Sequence, residues 1–233
     1  MTRPAFDALL VTCEHATNAV PDRFRRAFAT NPEVLHTHRA WDPGAAVLAA
    51  DFERAFGVNA HFGTMTRLLI DLNRRPQSPG LCSEFTPPDA RSELITSYHQ
   101  PWRASVLAEA TNLCANGKLL HVSCHSFVPV WQGVDRNVDL ALLYDPARKL
   151  EKLTADAWIQ TLPEVRPGFR VRRNNPYRGV TDGVCTWLRK QLPTTRYAGI
   201  EIELNHRYSS LPARGWRDIR EALVDAVKSS LRA

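Results

Sequence analysis

Two histidines stand where a metal ligand could be placed. His15 follows the short apolar run Ala8 to Cys13, and His125 follows the run Lys118 to Cys124. Imidazole nitrogen is the commonest protein ligand for a transition metal. A catalytic zinc takes nitrogen and oxygen ligands from the protein and keeps one position open. The third ligand then has to be a carboxylate or another histidine. Glu14 and Asp42 are the nearest carboxylates, and Asp42 sits in the rigid stretch Trp41-Asp42-Pro43-Gly44. The same aspartate in isolation suits an Asx-type turn equally well.

The densest polar signal is Thr66 to Arg74, where Arg67, Asp71, Asn73 and Arg74 interrupt Leu68, Leu69, Ile70 and Leu72. The guanidinium fork of arginine matches a carboxylate at two points. Arg67 and Arg74, with Asn73 beside the second, therefore make either a carboxylate clamp or a surface cluster paired with Asp71. Further on, Glu201 and Glu203 are two residues apart in Gly199 to Asn205. In a strand that spacing puts both on one face. That face either is solvated at a sheet edge or lines a site. A carboxylate beside an activated water is what amide hydrolysis needs, because it takes the water's proton and returns it to the leaving amine.

The elements that must position these residues alternate. Apolar, β-branched runs at 8–13, 118–124, 140–144 and 197–204 predict buried strands, and 61–72 predicts one or two more. Helices are expected over 22–28, with Asp22 as N-cap, and over 45–56, 93–115, 150–162, 184–192 and 212–231. Asn174 to Tyr177 reads as a turn. Such alternation predicts an α/β layered domain with a largely parallel sheet, whose ligands bind at the carboxyl ends of the strands. His15, Asn73, Arg74 and His125 all fall just past such ends, and Glu203 lies in or near another.

The whole chain, 233 residues, reads as one domain. Its formal charge of +6 is spread along the sequence, without the basic stripe and interleaved aromatics of a nucleic-acid binder. No apolar run is long enough to span a bilayer, and residues 1–7 do not begin a signal peptide, so a cytoplasmic location without membrane partners is expected. Five irregularly spaced cysteines include no CxxC pair, which argues for reduced thiols and against sulfur-ligated zinc. Cys13 and Cys124 are expected to be buried packing residues.

Val11 to Asn18, Thr66 to Arg74, Cys124 to Phe127, Asn175 to Tyr177 with Gly179, and Glu201 to Glu203 occur in the order found in the N-formylglutamate amidohydrolase family, which the chain resembles over roughly residues 8–208. The Asp71 to Arg74 element also resembles the substrate-carboxylate element of aspartoacylases and zinc carboxypeptidases. The resemblance implies a three-layer α/β/α sandwich with a mixed, mostly parallel sheet, holding one Zn2+ per chain and hydrolysing a small N-acyl amino acid. It implies His15 and His125 as metal ligands, Arg67 at the oxyanion, Glu203 as the catalytic carboxylate, and Asn73 and Arg74 on the substrate carboxylate. Asp71, Asn175 and Tyr177 join the substrate-binding set. Aspartoacylases and carboxypeptidases carry a glutamate ligand three residues after the first histidine; here that position is Asn18, so Asp42 becomes the third ligand, with Glu14 behind it. Two rival readings are a cysteine hydrolase built on Cys124 beside His125, and a metal-free carboxylate-binding protein of the same fold.

Overall fold

The computed structural model describes residues 4–165 and 167–232. Along the chain run β1 (Ala8–Cys13), α1 (Ala45–Phe56), β2 (Ala60–Phe62), α2 (Arg91–Leu94), α3 (Gln100–Asn116), β3 (Leu119–Phe127), β4 (Val130–Trp131), β5 (Val134–Asp135), β6 (Leu140–Leu143), α4 (Lys149–Thr161), β7 (Val171–Arg173), α5 (Val184–Arg189), β8 (Tyr197–Asn205) and α6 (Ala213–Lys228). Six strands form one sheet in the order β2-β1-β3-β8-β6-β7. All neighbours are parallel except β6 and β8, which run antiparallel. β4 and β5 form a separate hairpin. Among the described residues, no helix is long and apolar enough to cross a membrane.

Two helical layers cover the sheet, as parallel strands buried on both faces require. On one side α1, α4 and α6 pack through Phe52, Trp158 and Leu223 onto Val11, Cys13, Val122, Cys124, Ile200 and Ile202. On the other, α3 and α5 pack through Val106, Ala110 and Leu188 onto Leu10, Leu119 and Tyr197. Because side chains alternate along a strand, the second face also receives Thr12, His121, Ser123, His125, Glu201 and Glu203, all buried. The sheet is apolar on one face and turns polar toward its carboxyl end on the other.

Several expectations are corrected. Residues 63–72 form turns rather than a strand; only Ala60–Phe62 pairs with β1. The apolar residues that suggested a strand, Met65, Leu68, Leu69 and Ile70, pack into a loop-borne cluster with Phe24, Phe28, Val34 and Leu81. A short apolar run does not distinguish these outcomes. His125 lies within β3 rather than beyond it. Asp22 begins a 3-10 helix whose N-cap position is Pro21, with no side-chain cap. The helix expected over 93–115 is broken into α2, a π turn at Ile95–His99, and α3. Pro101 has no N–H to give the preceding turn, which accounts for the break there. β7 and the β4–β5 hairpin are elements the sequence pattern did not announce.

Candidate metal and active site

His15 and Glu14 leave β1 as a turn, and the backbone pulls Asp42 to them: Asp42 N–H donates to His15 O at 3.0 Å. Its carboxylate is no Asx-turn cap. Oδ2 accepts from Ser126 N–H at 3.3 Å and lies 3.2 Å from His15 Nδ1 and 2.9 Å from His125 Nδ1. All three side chains are buried, and His15, Asp42 and His125 can each direct one donor atom to a common point, those atoms lying within 4.8 Å of one another.

The opposite edges of both imidazoles are held by other carboxylates. His15 Nε2 is 2.7 Å from Asp71 Oδ1, and His125 Nε2 is 3.0 Å from Glu14 Oε2. Arg67 Nη1, which can only donate, stands 3.1 Å from His15 Nδ1. That nitrogen therefore offers a lone pair and its proton sits on Nε2, toward Asp71. Two imidazole edges and a carboxylate facing one another across a buried gap repel unless a cation, proton or metal, lies between them. The charges reflect this. Burial alone would depress the His125 imidazolium, but hydrogen bonds to Asp42 and Glu14 outweigh it and hold its pKa well above the histidine norm. Burial alone would raise Asp42, yet His15 and His125 hold it well below the carboxylate range. Glu14, also buried, is brought down to about 2, chiefly by His125 and Thr12.

Arg67 Nη2 donates to Asp71 Oδ2 at 2.6 Å, while Nη1 is 3.6 Å from Asp42 Oδ1. Asp71 thus lies behind both His15 and Arg67, its oxygens occupied, and is absent from the cavity wall; the expectation that it binds substrate is corrected. The Asp71–Arg74 loop is pinned from the π turn and from α3. His99 Nε2 donates to Arg74 O at 2.7 Å, and Arg103 Nη2 reaches Leu72 O and Arg74 O at 3.1 and 3.0 Å. Asn73 Oδ1 accepts from Val184 N–H at 2.7 Å, tying the loop to α5. Arg74 donates through Nη1 to Asp182 O and otherwise lines the cavity.

The cavity, ≈ 190 Å³, brings together His15, Asp42, His125, Arg67, Asn73, Arg74, Glu203 and Tyr177, as well as Glu201. Both glutamates lie on β8, in the interior of the sheet, so their face is not a solvated edge. Burial pushes Glu203 up to about 8; His125 opposes this, while Asp42 and Glu201 add to it. Burial also raises Glu201. Among the described residues, Glu203 Oε2 is buried without a hydrogen-bond partner. Such an atom is costly unless it serves a reaction or a ligand. Asn175 is exposed and outside the cavity wall, which corrects its assignment to substrate. Its neighbour Asn174, at φ 50°, takes the turn role, with Oδ1 accepting from Tyr144 N–H at 3.1 Å and Gly179 N–H at 2.8 Å. Cys124 is fully buried on the opposite sheet face from His125 and its thiol is raised by that burial. It has no access to the cavity.

His38, Ser126, Thr181 and Asp182 also line the cavity. No sequence pattern marks them, since each comes from a loop or a strand end brought in by packing.

The N-formylglutamate amidohydrolase family model matches residues 7–209. The chain belongs to that family. It is therefore an amidohydrolase by descent, acting on a small molecule. The gene product Atu2144 from Agrobacterium tumefaciens has a similar structure, with a TM-score of 0.75 at 26% identity, over 95% of this chain and 90% of that one. N-formylglutamate amidohydrolase from Ralstonia eutropha JMP134 superposes with a TM-score of 0.68 at 18% identity, over 97% and 94% of the two chains. A bacteriophage poly-gamma-glutamate hydrolase reaches 0.50 at 11% identity, over 97% and 86%. At the last two identities the likeness is one of fold alone. No curated protein matches the chain.

Proposed function

We propose that this family member is a zinc-dependent amidohydrolase that cleaves the amide of an N-acyl amino acid such as N-formylglutamate. The observation that carries the reading is the convergence of His15 Nδ1, His125 Nδ1 and Asp42 on one buried point, with Asp71 and Glu14 on the far ring nitrogens. Histidine ligands whose second nitrogen is held by a carboxylate are the usual construction of a metal site. Asp42 rather than Glu14 is the third ligand, because Glu14 meets His125 on the nitrogen facing away from the common point. Two nitrogens and one oxygen leave a position open, as zinc catalysis requires.

A zinc ion held there supplies Lewis acidity toward the amide carbonyl and toward water. The remaining chemistry belongs to side chains. Glu203 takes the water's proton on Oε2, its orphaned oxygen, and returns it to the departing amine. Arg67, locked by Asp71, presents its guanidinium to the oxygen on which negative charge develops, without having to reorganise. Arg74 binds the substrate carboxylate through its fork, and the Asn73 amide NH2 assists; Tyr177 stands at the rim. A cavity of this size suits a small amino-acid amide rather than a polymer.

Metal analysis tests the reading. Purified protein is expected to hold about one zinc per chain. His15→Ala and His125→Ala are each expected to empty the site, and Asp42→Ala to weaken it severely. A wild-type chain that takes up no zinc from a zinc-containing buffer would overturn the proposal.

A further inference from the structure

We infer that Glu14, braced by Thr12 and Ser123, is a positioning residue that fixes the ring of His125 from its Nε2 side; this rests on the metal-binding reading above. Glu14 is 1% exposed. Its Oε1 accepts from Thr12 Oγ1 at 2.7 Å and its Oε2 accepts from Ser123 Oγ at 2.9 Å, while His125 Nε2 lies 3.0 Å from both that Oε2 and Ser123 Oγ. The arrangement is set by strand register. Thr12 and Ser123 are paired between β1 and β3, so the hydroxyls that flank the carboxylate are delivered by the same ladder that delivers His125 two residues on. Gly63 closes the other side. A Cβ there would come within 2.0 Å of Glu14 O, so the backbone that carries the carboxylate is clamped by a position only glycine fills.

The protons have one consistent assignment. Thr12 spends its proton on Glu14, so Thr12 Oγ1 must accept from His121 Nε2, 2.9 Å away. His121 Nδ1 then accepts from Tyr197 OH at 2.8 Å. A one-way chain, Tyr197 to His121 to Thr12, therefore ends on Glu14, which acts only as acceptor. Ser123 Oγ, having spent its proton on Glu14, and Glu14 itself can only accept from His125 Nε2, so a proton is held on that nitrogen and a metal ion at the common point would take the place of the one that Nδ1 directs at Asp42. Hydrogen bonds of this kind orient metal-ligating rings and are worth roughly 10- to 100-fold in metal affinity.

The test is zinc affinity, measured by competition with a chromophoric chelator, together with the melting temperature of zinc-free protein. Glu14→Gln is expected to bind zinc roughly 10- to 100-fold more weakly than wild type, far better than Asp42→Ala, with a zinc-free melting temperature close to that of wild type. Ser123→Ala is expected to lose affinity by roughly a few fold, as for one hydrogen bond. Glu14→Gln affinity equal to wild type would make the glutamate a mere core residue, and loss equal to Asp42→Ala would make it a ligand; either result overturns the inference. Should Glu14→Gln not fold, Ser123→Ala and Thr12→Val decide, and unchanged affinity in both overturns it. Wild type that binds no zinc at all sinks the proposed function instead, a result distinct from a tight-binding Glu14→Gln.

Discussion

Glu203 and His125 are direct register partners across the β3–β8 ladder, and their side chains emerge on the same sheet face into the cavity. Glu201 is equally placed but pairs with Ser123, one step further from the metal ligands. His125 is the strongest charge on both; after it Asp42, Glu201 and Arg67 act on Glu203, and Arg189, Glu14 and Arg74 on Glu201.

The first prediction separates these two carboxylates. Glu203→Gln is expected to retain zinc and substrate binding while lowering turnover by about 10²- to 10⁴-fold, the usual worth of a general base. Glu201→Gln is expected to be much milder. Steady-state kinetics with zinc content measured on the same preparations checks this, and equal losses, or loss only at Glu201, would reverse the assignment.

Asp71 touches His15 through Oδ1 and Arg67 through Oδ2. Asp71→Asn is therefore expected to weaken zinc binding and slow turnover together. Arg67→Lys is expected chiefly to slow turnover, since its partner is a charge that forms during reaction. Combined, the two should slow turnover by less than the product of their separate effects, because the second change acts on a fork already loosened. A double-mutant cycle on kcat reads this directly, and strict additivity would show that Asp71 does not act through Arg67.

Arg74 is predicted to read the substrate's carboxylate. Lysine keeps the charge but not the fork, so Arg74→Lys should raise KM while leaving zinc in place. Substrates esterified at that carboxylate should be poor for wild type already and little worse for the variant. Wild type that cuts esters and free acids equally well has no carboxylate clamp.

His121 supplies a pH prediction for folding. Its ring is buried, and burial lowers its pKa from the ordinary 6.5 to about 3. Between those values the unfolded chain binds a proton that the folded chain refuses. The stability contribution is thus full above pH 6.5 and is lost as pH falls toward 3, on the order of a few kcal/mol in all. Urea unfolding of chelator-treated protein should show Thr12- and Tyr197-bonded wild type losing more stability between pH 7 and 4 than His121→Gln, whose side chain cannot be charged. Parallel acid limbs would refute it.

Much of this site was legible before the fold. His15, His125, Arg67, Arg74 and Glu203 share the cavity wall, and a spacing of two along buried runs foretold that Glu201 and Glu203 face together. The same rule, applied to Thr12 with Glu14 and to His121, Ser123 and His125, would have marked the polar sheet face, since hydroxyls and imidazoles at alternate positions in otherwise apolar strands are unusual. What stayed illegible depends on packing between distant segments. Asp71 carries the charge and position of a substrate contact, yet His15, 56 residues away in sequence, takes its oxygen first. Asn175 points outward, while its neighbour Asn174, in a left-handed turn, accepts from Tyr144 and Gly179 N–H, a partition that neighbouring residues of one type do not announce. His38 enters the wall from a loop whose sequence offers no period.

Met65, Leu68, Leu69 and Ile70 pack with Phe24, Phe28, Val34 and Leu81 in a cluster that, among the described residues, contains none of the central sheet. Arg67, in this segment, is consequently anchored in a different body of apolar side chains from the strands that carry His125 and Glu203. On the proposed reading, two groups that share one bond cleavage, Arg67 and Glu203, are thus held by separately packed parts of one molecule. Loosening that cluster is therefore a way to move Arg67 against Glu203 while the strands that carry His125 and Glu203 keep their own packing.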